Sequence, residues 1–375
     1  MLNKSKLTLI SSSLLLSASA FAGAIQIVGT TTTTVPVNST LVAATNGGKA
    51  IGSYTVSLMK VNIDKAASER LAANIEETLK NSSSRGSSLG FAAVDSTVQK
   101  QLGMAGVAPL DQGVHGSCAT FANTGAIDAL YGLTDQSAQV SELCNLELGK
   151  SLVTLGEQDR SGWDGTLGPV VLTQINSHGY MTIDQESSGA CGGLTSYPVT
   201  SSDTGGSISK DDFESYSKQN QEFKVSNWQP IFSASSFPVD PEQADQVLTE
   251  VKQAINSQHR VSFGTLLDDS IGQNGAVAKY SANNNTVNNN NTWVLTSKIA
   301  SDAQANAIHS GHEMLITGYD DQQCVTYQDG LFGGTKQQCG LLTLRNSWGN
   351  TGDNGDYYMT YDHFKTMVME AQEIK

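Results

Sequence analysis

Beyond residue 22 the chain has no run of 18 consecutive apolar residues, so no later segment can cross a bilayer as a helix, which needs about 20 of them. Charge is sparse at 15% of residues, and basic charge sparser still: 22 Lys and Arg stand against 36 Asp and Glu, for a net charge of −14. Such a balance repels phosphate and excludes nucleic acid as a partner. There are only five cysteines, and no two form a Cys-x-x-Cys pair, so the usual zinc-ligand spacing is missing and no metal is expected. No cofactor motif is found either. The 36 glycines make a loop-rich chain, yet one long enough for a catalytic domain of about 280 residues with a sizeable core. Residues 283–291, NNNTVNNNN, are a low-complexity loop that cannot pack, read as surface decoration rather than a gate.

The first residues are a separate signal. Lys4 and Lys6 precede an apolar, serine-containing run from Leu7 to Ser19, and Ala20-Phe21-Ala22 supplies a small-x-small cleavage pattern. Residues 1–22 are read as a secretory signal peptide, and the product as secreted, soluble and monomeric. An oxidising compartment suits the cysteines. If one of the five is a nucleophile, the other four allow two disulfides, with three pairings open among Cys144, Cys191, Cys324 and Cys339.

Candidate chemistry begins at Asp111–Leu130, DQGVHGSCATFANTGAIDAL. Cys118 reads as the first turn of an amphipathic helix, where unpaired N–H groups and a partial positive charge favour thiolate over thiol. Gln112, just upstream, offers a side-chain N–H that, with the Cys118 backbone N–H, can hold an oxyanion, worth on the order of 3 kcal/mol per donor. The plainer reading is a buried structural cysteine. Two later segments bear on that choice. HSGHEMLITGYDD (309–321) sets His312 at the head of an apolar run, and LLTLRNSWGNTGDNGDYYM (341–359) delivers Asn346 at the end of another; both runs read as strands.

In this order Gly116-Ser117-Cys118, the run from His312 to Gly318-Tyr319, and Asn346-Ser347-Trp348-Gly349 resemble the papain-like cysteine peptidases. The resemblance implies Cys118 as nucleophile, His312 as its base, Asn346 as the group that orients His312, and Gln112 as oxyanion donor. It also implies that Trp348 covers the His312–Asn346 bond, although core packing alone would explain a buried Trp. His309 is a rival base whose spacing to Gly318 does not fit the family; His115 reads as a loop side chain. Ser141-Glu142-Leu143-Cys144, Gly162-Trp163-Asp164-Gly165, QINSHGYMTID (174–184), Tyr197-Pro198 and the helix-to-strand step in 241–264, with Val247, Leu248, Val251, Ala254 and Ile255 on one face, extend the likeness over residues 93–375.

From the family pattern Cys144–Cys191 is the favoured disulfide, which leaves Cys324–Cys339. The expected architecture is α+β, a papain-like two-lobe fold with a helical lobe and a β-barrel-like lobe. Gly165 and Thr166 would meet the substrate backbone, with Leu167, Gly264 and Gly311 walling a second-residue pocket roomy enough for a bulky apolar side chain. Departures exist: Ala119 follows the nucleophile where the papain signature has an aromatic, the spacing to His312 and Asn346 exceeds the family's roughly 130–150 residues, and a family disulfide is missing at His115 and Trp163. That last loss predicts a looser nucleophile loop.

Residues 23–92 match none of this. Ile25–Val37 and Tyr54–Ile63 are rich in β-branched residues, with Asn46-Gly47-Gly48 as a turn between them. Asp64 is placed to cap a helix whose Ala67, Leu71, Ile75 and Leu79 share a face, and NSSSRGSSLG (81–90) reads as a cuttable linker. The segment holds six Lys/Arg against four Asp/Glu, the rest of the exported chain 14 against 32, and opposite signs favour docking. A hairpin, a helix and a tether suggest an inhibitory pro-segment acting on its own catalytic domain; a permanent accessory domain is the alternative. The function read here is a secreted endopeptidase, made as a zymogen, acting on protein or peptide substrates. Two other readings are kept: an NlpC/P60-like cell-wall amidase, and a catalytically silent peptide-binding module.

Overall fold

The two β-branched runs pair with each other. β1 (Ile25–Val35) and β2 (Tyr54–Ile63) form an antiparallel hairpin with a bulge between Ile27 and Gly29. Asp64 then accepts from the Ala67 N–H at 2.8 Å and starts α1 (Lys65–Ser84), whose Ala67, Leu71, Ile75 and Leu79 are buried. The structure is a computed structural model that describes residues 23–35, 54–84, 98–220, 227–268, 291–329 and 335–375. The signal peptide, the Asn46-Gly47-Gly48 turn, the linker past Ser84 and most of the asparagine run lie outside these residues. The linker begins later than its composition predicts, because α1 continues through Asn81–Ser84. Ser82 Oγ bonds back to the Thr78 carbonyl and across to Asp362, which offsets serine's weak helix preference.

A second unit is helical: α2 (Cys118–Tyr131), α3 (Glu142–Leu155), α4 (Gly168–His178) and the shorter α5 (Ile183–Ser187) and α6 (Lys210–Ser217). The Cys144–Cys191 disulfide joins α3 to the chain beyond α5 inside a core with Trp163 and Phe213. α2 is not amphipathic as read from sequence. Every residue from Cys118 to Ala129 is buried, because the helix is wedged between its own lobe and the sheet. Its polar residues are tied internally: Asn123 to Glu313, Thr124 to Glu142, and Asp128 to the Val140 N–H.

The remainder is one large sheet. β3 (Gln99–Gln101) pairs with β7, and β4 (Trp228–Phe232), β5 (Arg260–Leu267), β6 (Thr292–Trp293), β7 (Ser310–Gln328), β8 (Thr335–Arg345), β9 (Asp356–Thr360) and β10 (Val368–Ile374) run in the order β4-β10-β5-β7-β8-β9-β6. Packed against it is α7 (Pro241–Asn256), burying Val247, Leu248, Val251, Ala254 and Ile255 as its periodicity predicts. The second disulfide, Cys324–Cys339, cross-links β7 and β8 at facing positions. The N-terminal hairpin is not a separate module. β2 joins the same sheet through β7, Met59 opposite Gly311 and Lys60 opposite Ser310, and its Val56 and Leu58 enter the main core. Among the described residues no helix is long and apolar enough to cross a membrane, and no cluster of three potential metal ligands occurs.

Candidate active site

Three elements bring the sequence candidates together. Cys118 is the first residue of α2, His312 the third residue of β7, and Asn346 follows β8. Because α2 packs on β5 and β7, the Cys118 sulfur lies within reach of the Glu313 N–H, directly beside His312, as well as of its own and the Ala119 N–H. His312 Nε2 is 2.7 Å from Asn346 Oδ1. That oxygen also accepts from the Ser347 N–H at 2.7 Å, so it is the acceptor and His312 Nε2 carries the proton. The tautomer leaves Nδ1 with a lone pair, and Nδ1 is buried without a hydrogen-bond partner. Trp348 stacks on the imidazole at 4.7 Å and 22°, sealing the His312–Asn346 bond from water.

Gln112 is fully buried and its amide is fixed at both ends. Its Oε1 accepts from Ser347 Oγ at 2.7 Å, which turns Nε2 toward the nucleophile loop. Ser347 was not singled out by sequence, though it stands inside the Asn-Ser-Trp-Gly motif. One Nε2 proton goes to the His115 carbonyl and the other to the carbonyl of Ser57, each at 2.9 Å. Ser57 belongs to β2. The donor expected to face an oxyanion therefore holds a backbone carbonyl of the N-terminal segment.

Of the remaining candidates, Gly165 and Gly311 face that segment too. Gly165 sits at φ +92°, and a side chain there would meet Met59 and Ile27 at about 3 Å. Gly311 lies opposite Met59 and against Val61. Leu167 packs on the same apolar cluster as Met59 and Cys118, and Thr166 is buried beside Gly162. Gly264 differs from its predicted role: its missing side chain points at Met369 and Glu370 of β10, and the Met369 methyl fills the space between Gly264 and Gly311. The roominess inferred from small wall residues is thus partly taken up by Met369, a residue that local sequence gave no reason to pick.

β2 holds its place through Ser57 N–H to the Gly113 carbonyl (3.3 Å), Ser57 Oγ to the Val114 carbonyl (2.7 Å) and Val61 N–H to the His309 carbonyl (2.7 Å). His309, the rival base, thus meets β2 through its backbone. The nucleophile loop, expected to be loose, is cross-tied: the His115 ring meets Trp163 edge-on at 4.6 Å and reaches the Pro198 and Ser201 carbonyls.

With the segment in place, Cys118 and His312 have no exposed surface. Burial pushes the thiol up to about 12, with the Glu313 carboxyl adding to the effect, and pulls the imidazole down to about 4. Both groups are therefore neutral, a thiol and an unprotonated imidazole. Beneath them, Glu313 and Glu370 face each other in a dry site, held by Asn123 and the Gly168 N–H, and burial raises both.

Buried acids have a consequence for stability. Burial raises Asp128 to about 8 and Glu142, Glu147 and Glu370 to about 7, against roughly 4 in an unfolded chain. The folded chain then binds more protons than the unfolded one up to these values, so their contribution is lost as pH rises through them. The lowered histidines, His115, His312 and His363, act oppositely, but only below about pH 6.5. The thermal midpoint is therefore expected to fall between about pH 6.5 and 8; a midpoint that climbs over this interval in differential scanning fluorimetry would contradict the buried-acid account.

No family model matches the chain, and no curated protein matches it. Among solved structures it is similar to xylellain, a cysteine protease from Xylella fastidiosa, at 17% identity over 74% of this chain and 86% of that one, with a TM-score of 0.45. It is similar to procathepsin L 3 of the Tenebrio molitor larval midgut at 16% identity, covering 82% and 79% of the two chains, with a TM-score of 0.44. The proform of the ragweed pollen allergen Amb a 11, a cysteine protease, aligns at 18% identity over 80% and 75%, with a TM-score of 0.41. These likenesses to papain-like cysteine proteases run over most of the chain.

Proposed function

We propose that the protein is an exported cysteine endopeptidase, made in a latent form whose cleft is filled by the hairpin of residues 25–35 and 54–63. The observation that carries this reading is the His312 tautomer: Asn346 Oδ1 accepts from Nε2–H and leaves a bare Nδ1 on the strand that packs against the helix begun by Cys118. In the uncovered enzyme His312 Nδ1 takes the Cys118 proton, and the thiolate attacks the substrate carbonyl. The oxyanion is received by Gln112 Nε2 and the Cys118 N–H, and the imidazolium then protonates the leaving amine. Water hydrolyses the thioester with His312 again as base. Met59, lodged between Gly165 and Gly311, occupies the position of an apolar substrate side chain and supports a preference for such residues next to the scissile one.

Latency follows from the same contacts. The Ser57 carbonyl uses the Gln112 proton that an oxyanion needs, and water is kept from both members of the dyad. Cleavage of denatured protein by the activated chain, abolished by Cys118→Ala and by a thiol-directed epoxide, is the expected result. Unimpaired proteolysis in the Cys118→Ala variant would overturn the reading. Release of peptidoglycan peptides without proteolysis would favour a cell-wall amidase, and peptide binding without turnover a silent module.

A further inference from the structure

Among the described residues, the serine and threonine N-caps behave alike with one exception. Ser141, Thr182, Ser209, Thr296 and Thr360 each accept a hydrogen bond from a backbone N–H in the first turn of the helix they precede. Ser117, which precedes α2, makes no such bond, and its backbone stands at φ −87°, ψ 16°, where the five capping residues are extended. Its Oγ lies 2.7 Å from the Tyr197 hydroxyl, and that hydroxyl lies 2.9 Å from the Gln112 main-chain carbonyl. A carbonyl only accepts, so the single phenol proton goes to Gln112. Ser117 must then donate its own proton to the Tyr197 oxygen.

We propose that Tyr197 is a positioning residue for the nucleophile: its hydroxyl ties Ser117 in a conformation that cannot cap α2, so that the first-turn N–H groups stay available to the Cys118 sulfur and to an oxyanion. The inference rests on the peptidase reading for its purpose, though not for its geometry. A capped helix would spend one of its unpaired donors on Ser117 and weaken the positive end that favours the thiolate. The N–H groups of Cys118 and Ala119 instead face the sulfur.

Tyr197 is held where it can do this. Its ring stacks on Trp163 at 5.6 Å and 13°, and meets Phe121 at 4.8 Å and His115 at 5.7 Å edge-on. The segment that follows is pinned to the nucleophile loop by Val114 N–H to the Val199 carbonyl (3.0 Å) and by His115 Nε2 to the Pro198 and Ser201 carbonyls (3.0 and 2.9 Å). Gly113 permits that approach, since a side chain at its φ of +55° would overlap the Val199 carbonyl. No disulfide reaches this loop; aromatic packing and hydrogen bonds set its distance from Gln112.

The test uses the full chain, activated by proteolytic removal of its N-terminal segment, in wild type, Tyr197→Phe and Ser117→Ala/Tyr197→Phe forms. Tyr197→Phe is expected to raise the midpoint of the pH profile for Cys118 alkylation by iodoacetamide by about one pH unit. It should also lower kcat about tenfold with KM within about twofold, because Ser117, once released, can swing to the extended backbone of the other caps and bond the first turn. Deleting that hydroxyl as well should recover most of both losses, which a merely structural role for Tyr197 would not allow. An unshifted alkylation profile in Tyr197→Phe, or a double variant as impaired as the single one, overturns the proposal. If Tyr197→Phe melts more than about 2 °C below wild type, Ser117→Asn carries the same expectation, since its amide caps α2 without disturbing the aromatic cluster. A wild-type chain that alkylates but cleaves nothing would defeat the peptidase reading alone, and the alkylation midpoints would still decide this one.

Discussion

Met59→Asp in the uncleaved chain is expected to raise hydrolysis of denatured protein by about 10²–10³-fold over the uncleaved wild type. Met59 is fully buried between Gly165 and Gly311, in the apolar cluster that includes Cys118, Ile25 and Met369. The Arg160 guanidinium nearby is already bonded to the carbonyls of Gly165, Ile27 and Asp164, so a carboxylate here enters an apolar cluster, and a poorly paired buried charge costs several kcal/mol. At 1.4 kcal/mol per tenfold, roughly 3–4 kcal/mol shifts the covered state toward the open one by the stated factor. What opens is limited, because α1 stays docked through Leu71, Ile75 and Ser68 Oγ on the Ala303 carbonyl. Opening lets water reach Cys118 and His312, removing the burial that holds the thiol near 12 and the imidazole near 4, so the ion pair can form. Alkylation of Cys118 should rise in step with activity. Uncleaved wild type as active as the chain freed of residues 23–84, or Met59→Asp as silent as wild type, would show that β2 does not govern the cleft.

How far the site was legible depended on whether its parts are local in sequence. Cys118, His312 and Asn346 each sit in a short run whose neighbours fix the element: a helix start, the head of an apolar strand, the end of another. Gln112 lies close enough to Cys118 to be read with it, and the hairpin and α1 announced themselves through β-branched runs, a capping Asp64 and three-to-four spacing. Contacts made only by docking distant segments were hidden. Nothing in Tyr54–Ile63 says that Ser57 will meet Gln112, since that depends on β2 pairing with β7 at Met59 and Gly311. Tyr197 read as part of an extended segment, and its hydroxyl acquires a role only when that segment lies beside Ser117. Glu313 and Glu370 were passed over because acidic residues usually face water; here β7 and β10 turn them into the seam against α2 and α4. The amphipathic reading of α2 failed for a related reason, as a helix packed on every side has no face to leave polar.

Gln112→Ala should move catalysis and latency in opposite directions. In the activated enzyme the loss of Nε2 removes one of two oxyanion donors, and kcat is expected to fall about 10²–10³-fold with KM little changed. The size of that loss follows from how firmly the amide is held. Ser347 Oγ fixes Oε1 and the His115 carbonyl takes one Nε2 proton, so the other points one way only and needs no reorganisation when charge develops. In the uncleaved chain that same proton binds the Ser57 carbonyl at 2.9 Å in a fully buried setting. Deleting it leaves a buried carbonyl unsatisfied, at a cost of about 1–3 kcal/mol, so β2 is held less tightly and Cys118 should be alkylated about tenfold faster or more before cleavage. A loss of kcat together with slower alkylation would mean that Gln112 merely supports the loop. An unchanged kcat would remove it from the oxyanion site, and only the two opposed shifts together are consistent with one amide proton serving the covering strand first and the substrate afterwards.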